Sequence, residues 1–152
     1  MKSISPWGTA LLWLGVASAT FAQPTDTNPS NCEAALYRTF QAIEVGRPVD
    51  IVTLQQFDLQ QLYPQDFPPE PGGILLRLRG EAATDILYSP QMMRRLSQTI
   101  IGNCPSISAV SFQLDQTDWE VMYGLVDDAV VQFRCIEPGV GVMPDWGEYV
   151  CL

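Results

Sequence analysis

Four cysteines, Cys32, Cys104, Cys135 and Cys151, constrain this chain more than any other feature. They follow a leader-like opening, "MKSISPWGTALLWLGVASATFAQPT", with Lys2 ahead of an apolar run from about Ala10 to Val16. Small residues then lead to Thr20-Phe21-Ala22. That layout predicts a secretory signal peptide over residues 1–22, with cleavage after Ala19 as the alternative site. The apolar run falls short of the roughly 20 residues that a membrane span needs, so no stable span is expected once the leader is removed. An even cysteine count in an exported chain reads as two disulfides. Neither a CxxC pair nor zinc-type spacing occurs, so no metal or cofactor is expected.

Four cysteines allow three connectivities, and the cysteine positions must be weighed against the elements around them. Residues 23–29 read as a short, loose mature N-terminus, and residues 30–152 as one domain of sufficient length for a real core. Ser30 and Glu33 form a capping box ahead of a helix whose stripe is Cys32, Leu36, Phe40 and Ile43, ending at Gly46. Asp50 reads as the cap of a short helical piece containing Val52, Leu54, Phe57, Leu59 and Leu62. Pro64, Pro68, Pro69 and Pro71 then forbid regular structure. "ILLRLR" alternates as a half-exposed strand, and Ser89-Pro90 starts another helix carrying Met93, Leu96 and Ile100 on one face. Cys32 opens one apolar stripe and Cys104 follows the end of the other, which favours a Cys32–Cys104 bond between antiparallel helices. The remaining pair, Cys135–Cys151, would staple the last strand to its neighbour.

The final third reads as hairpins. Val110, Phe112 and Leu114 alternate with polar partners, as do Trp119, Val121, Tyr123 and Leu125, and then Val131, Phe133 and Cys135. "DQTD" and "VDDA" supply the turns, and Glu148 to Leu152 reads as a fourth short strand. The expected fold is α+β: two or three helices packed on one face of a mainly antiparallel sheet of four to five strands, held by two disulfides. The segments "DWEVMYGL", "VVQFRC" and "WGEYVCL" give residues 86–152 a pattern that resembles small exported cyanobacterial proteins of unknown function. The likeness rests on aromatic and cysteine positions. It implies a secreted domain and no particular activity.

Charge and residue usage narrow the chemistry. Histidine is absent, Lys2 is the only lysine, and the formal net charge is −9. Such a surface repels phosphate backbones and anionic headgroups, so no nucleic-acid partner is expected. Without histidine no Ser-His or Cys-His pair exists, and oxidised cysteines supply no nucleophile. Carboxylates remain. Asp115, Asp118 and Glu120 read first as hairpin-turn acids and second as calcium ligands, and Asp127-Asp128 as a turn. Arg94-Arg95, together with Arg77 and Arg79, are the local positive features, either solvated faces or a small anion site. Tyr63 and Phe67 lie among prolines, in a setting like the ligands of aromatic grooves, while Trp146 and Tyr149 sit beside Gly and Pro near the C-terminus. These four are the candidate binding residues. The expected role is a non-catalytic secreted or periplasmic module contacting another protein or an envelope polymer. The alternatives are a carboxylate-only hydrolase acting on glycan and a small calcium- or ligand-binding protein.

Overall fold

The computed structural model describes residues 30–65, 68–139, 141 and 143–151. The leader and the 23–29 stretch lie outside the described residues. Helix α1 (Asn31–Glu44) starts where Ser30 caps it, its hydroxyl accepting from the Glu33 amide at 3.2 Å. Strand β1 (Asp50–Asp58) leads into a single helical turn, α2 (Leu59–Leu62), and β2 (Gly72–Arg79) follows the proline-rich loop. Helices α3 (Ala83–Leu87) and α4 (Pro90–Ile101) cross over to β3 (Ile107–Leu114). Strands β4 (Glu120–Val126) and β5 (Ala129–Gln132) complete a meander, and β6 (Arg134–Ile136) and β7 (Glu148–Val150) form a separate ribbon.

The main sheet has the order β1-β2-β3-β4-β5. Every pairing in it is antiparallel except β2–β3, which is parallel because α3 and α4 intervene as a crossover. Helices α1, α3 and α4 cover one face. Their apolar stripes meet Ile74, Leu76 and Leu78 of β2, Val110 and Phe112 of β3, and Val121 and Tyr123 of β4. The α+β architecture expected from the pattern is therefore present, with both disulfides, Cys32–Cys104 and Cys135–Cys151, formed. Among the described residues no helix is long and apolar enough to cross a membrane.

Two local expectations are corrected. Residues 50–58 form a strand, and Asp58 rather than Asp50 caps the helical turn, its carboxylate accepting from the Gln60 amide at 2.9 Å. A register shift between Ile51 and Thr53 breaks the period-2 pattern, which is why the apolar positions suited neither a strand nor a helix cleanly. The last strand does not extend the meander either. It pairs in parallel with β6, Cys135 opposite Tyr149, so its disulfide joins the two strands of one ribbon.

That ribbon folds over the second face of the sheet. Leu59, Tyr63, Ala109, Met122, Phe133 and Tyr149 form a second core there, with Phe57 and Trp146 packed against it. Two glycines make the close approach possible. An added Cβ at Gly73 would sit 2.3 Å from the Phe57 ring, and one at Gly124 would sit 2.3 Å from the Phe133 ring. Any larger residue at either position would displace an aromatic ring from this core.

Candidate functional site

Strand register lays out the second face in rows. Phe57, Gly73, Ala109 and Gly124 form the row beneath the ribbon. The next rows are Gln55, Leu75, Ser111 and Met122, then Thr53, Arg77, Gln113 and Glu120. Polar groups on these outer rows satisfy one another. Arg77 Nε donates to Gln113 Oε1 at 3.0 Å, Gln113 Nε2 to the Thr117 carbonyl at 3.2 Å, and the Ser111 hydroxyl to Glu120 Oε1. A groove of about 290 Å³ runs along them, lined by Phe57, Leu62, Leu75 and Met122 with Gln55 and Gln61.

Three of the four candidate binding residues lie in or against the second core. Tyr63 is 1 % exposed, and its hydroxyl donates to the Glu148 carbonyl at 2.6 Å. Its ring meets Trp146 edge-on at 5.1 Å and Phe133 at 6.4 Å. Trp146 is half-buried, stacked edge-on to Phe133 at 4.8 Å, with its indole N–H donated to the Leu125 carbonyl at 2.9 Å. Tyr149 is 9 % exposed and donates to the Glu120 carbonyl at 2.9 Å. Tyr63 and Tyr149 therefore present little ring to solvent, although Tyr63 and Tyr149 help wall a shallow cavity with Met143 and Pro144. Phe67 lies outside the described residues. At the end of the proline-rich loop the Leu59 amide donates to the Pro71 carbonyl at 2.7 Å and the Glu70 amide to Ser108 Oγ at 2.6 Å.

Burial pushes the Tyr63 hydroxyl well above the usual tyrosine range, helped by the negative charges of Glu120 and Glu148. Burial also raises Tyr149, again with Glu120 adding to it, and Tyr123, where nearby Arg94 acts in the opposite sense. A tyrosine that ionises later in the folded chain contributes stability that is complete below the unfolded pKa of about 10 and is lost as pH rises past it. Titration at 295 nm should therefore show three of the five tyrosines ionising only as the near-UV circular dichroism collapses. Five tyrosines titrating together with the native spectrum intact would refute this burial.

Asp115, Asp127 and Asp128, singled out in the sequence, have local structural roles. Asp115 pairs with Arg79 at 2.6 Å, and Asp127 and Asp128 hold the left-handed turn between β4 and β5 at φ 49° and 63°. Among the described residues no group of three or more acids, cysteines or histidines is arranged to hold a metal ion.

What the sequence pattern did not bring out is the edge of the sheet at β1. Among the described residues no strand pairs with its outer side. From Thr53 to Phe57 ("TLQQF") that edge carries neither charge nor proline, the devices that blunt natural edges. On the helix side, Leu54 opens into a cleft of about 590 Å³ with Leu36, Tyr37 and Phe40. On the other side lies the Phe57–Leu62–Met122 groove. Three exposed apolar side chains lie here, Tyr37 at 65 % exposure, Leu54 at 46 % and Leu62 at 44 %, while Val45, Tyr88 and Met143 are exposed elsewhere. Tyr37 stands off the buried stripe of α1, and that was the available signal. Comparison with protein-family models, with curated proteins and with solved structures found no match.

Proposed function

We propose that this protein is a non-catalytic, exported docking module that takes an extended segment of a partner protein along the outer edge of β1. The carrying observation is an uncharged strand edge flanked on both faces by clefts with apolar side chains in their walls, alongside Glu33 and Arg38 in one and Asp58 and Glu120 in the other. In strand addition the main chain supplies affinity, and pockets for alternate side chains supply specificity. A segment paired with Thr53–Phe57 would send one set of side chains toward Tyr37 and Leu54 and the alternate set toward Phe57 and Leu62. The opposite edge, β5, has only four residues, and short edges resist pairing. Asp50 and Asp58 close the two ends of β1, and the Ile51 amide is already taken by Glu44 Oε1 at 3.1 Å. A net charge of −9 favours a partner whose flanking residues are basic. Export is supported by the leader-like opening and by two disulfides, which persist in oxidising compartments.

The test is selection from a displayed peptide library against the oxidised protein, followed by hydrogen exchange on the complex. Enriched peptides should alternate apolar residues and slow exchange at residues 53–57. Leu54→Lys should weaken them by about 2 kcal/mol, roughly 30-fold, as for a contact at the centre of an interface, while leaving the melting temperature unchanged. Peptides that bind without protecting β1, or that tolerate Leu54→Lys, would rule the edge out. Binding of glycan fragments in place of peptides would move the function to an envelope polymer.

A further inference from the structure

We infer that the cleft between α1 and α4 is a binding site for a small ligand carrying a phosphate- or sulfate-type oxyanion. It lies on the helical layer, shares only Arg38 with the cleft beside Leu54, and does not rest on the docking reading. Helix α1 contributes Arg38, Thr39 and Ala42, one turn of a single flank. Helix α4 contributes Gln91, Met92, Arg95, Leu96 and Thr99 at the matching helical spacing, and Arg47 reaches in from beyond the end of α1. The cleft holds about 580 Å³, a volume typical of small-molecule sites.

The distribution of positive charge carries the argument. Beyond Lys2 the cations are seven arginines in a chain with 17 carboxylates. Arg79 and Arg134 are paired with Asp115 and Glu148, Arg77 donates to Gln113, and Arg94 lies near Tyr123. The other three, Arg38, Arg47 and Arg95, all line this one cleft, and no carboxylate does. Among the described residues none of the three has an ion pair. Arg47 donates from Nη1 to the Ala42 and Ile43 carbonyls, and among the described residues it makes no ion pair with a carboxylate. Converging cations without acids is an arrangement that a bound anion stabilises, and the planar guanidinium fork suits oxyanions in particular.

Two further features point the same way. Ser89, Gln91 and Met92, at the first turn of α4, also line the cleft. Pro90 has no N–H, the Ser89 side chain does not cap the helix, and the first i→i−4 bond of the helix is made by Met93. The amides of Gln91 and Met92 thus belong to the positive end of a 12-residue helix, the kind of terminus that receives anions. In the cleft wall, the Thr39 hydroxyl is buried and has no hydrogen-bond partner. A buried polar group in that state calls for a ligand atom or an ordered water. Met92, Leu96 and Ala42 leave room for an apolar portion beside the anion.

The experiment is calorimetric titration of the oxidised protein with inorganic phosphate, inorganic sulfate and phenyl phosphate, at ionic strength held constant with sodium chloride. Saturable binding is expected, tightest for phenyl phosphate, with the order of phosphate and sulfate defining the headgroup. Arg38→Gln and Arg95→Gln should each weaken it at least tenfold, whereas Arg94→Gln, on the other flank of α4, should not. All three residues are exposed, and unchanged circular dichroism would verify folding of each variant. Absence of saturable binding for all three probes overturns the proposal. So does equal weakening by Arg94→Gln, which would reduce the effect to general charge screening.

Discussion

Replacing Cys32 and Cys104 together by alanine should lower the stability of the oxidised protein by about 4 kcal/mol, the chain-entropy value for so long a loop. The bond joins residues 72 apart and ties the first turn of α1 to the segment just after α4. Helix α1 is the outer layer: it leans on α4 and on the edge strand β1 and on little else. Untied, it should be the first element to exchange its amides, ahead of the sheet. Alanine is the informative replacement because Cys104 is fully buried, and a serine hydroxyl there would add its own desolvation cost. The matching Cys135→Ala plus Cys151→Ala pair closes only 16 residues and should cost about 3 kcal/mol, with the loss felt first in the ribbon over the second face. Against a total stability of about 5–15 kcal/mol, either change is visible in a urea midpoint. A loss below about 1 kcal/mol for the Cys32–Cys104 pair would mean that α1 docks without the bond and that the entropy argument fails for this chain.

What was legible in the sequence was local. Ser30 and Glu33 marked the start of α1, Asp127-Asp128 marked a turn, and the alternation from Val110 to Leu125 gave two strands, whereas the run through Val131, Phe133 and Cys135 is broken into β5 and β6 of separate sheets. What was not legible depended on contacts distant in sequence. The parallel β2–β3 pairing exists because α3 and α4 form a crossover, and no short-range signal distinguishes it from a hairpin. Tyr63 among prolines resembles a surface ligand until β7, some 85 residues later, supplies the carbonyl for its hydroxyl. The arginine cleft was closer to readable than it first appears. Once Cys32 is bonded to Cys104 the start of α1 lies beside the end of α4, and Arg38 and Arg95 line the cleft between the two helices. The pairing in the sequence, Arg94 with Arg95, instead joins two residues on different flanks of α4.

Tyr63→Ala should destabilise the protein by about 3–5 kcal/mol, the range for removing a large aromatic side chain from a core. The ring is packed in the second core, edge-on to both Trp146 and Phe133. Tyr63→Phe separates the ring from the hydroxyl. It keeps the packing and strands the Glu148 carbonyl, a loss of about 1–3 kcal/mol, which should loosen β7 and speed exchange of its amides. Because Tyr63 is 1 % exposed, Tyr63→Phe should leave peptide binding at β1 unchanged, where Leu54→Lys abolishes most of it. The two variants thus divide the aromatic residues near the ribbon from the apolar residues at the edge. Measured side by side by urea denaturation and peptide titration, they assign Tyr63 to the core if stability falls and binding holds. A Tyr63→Ala protein that keeps its stability and loses its ligand would give the opposite assignment, with the tyrosine itself as the contact and the ribbon as a lid over the true binding face.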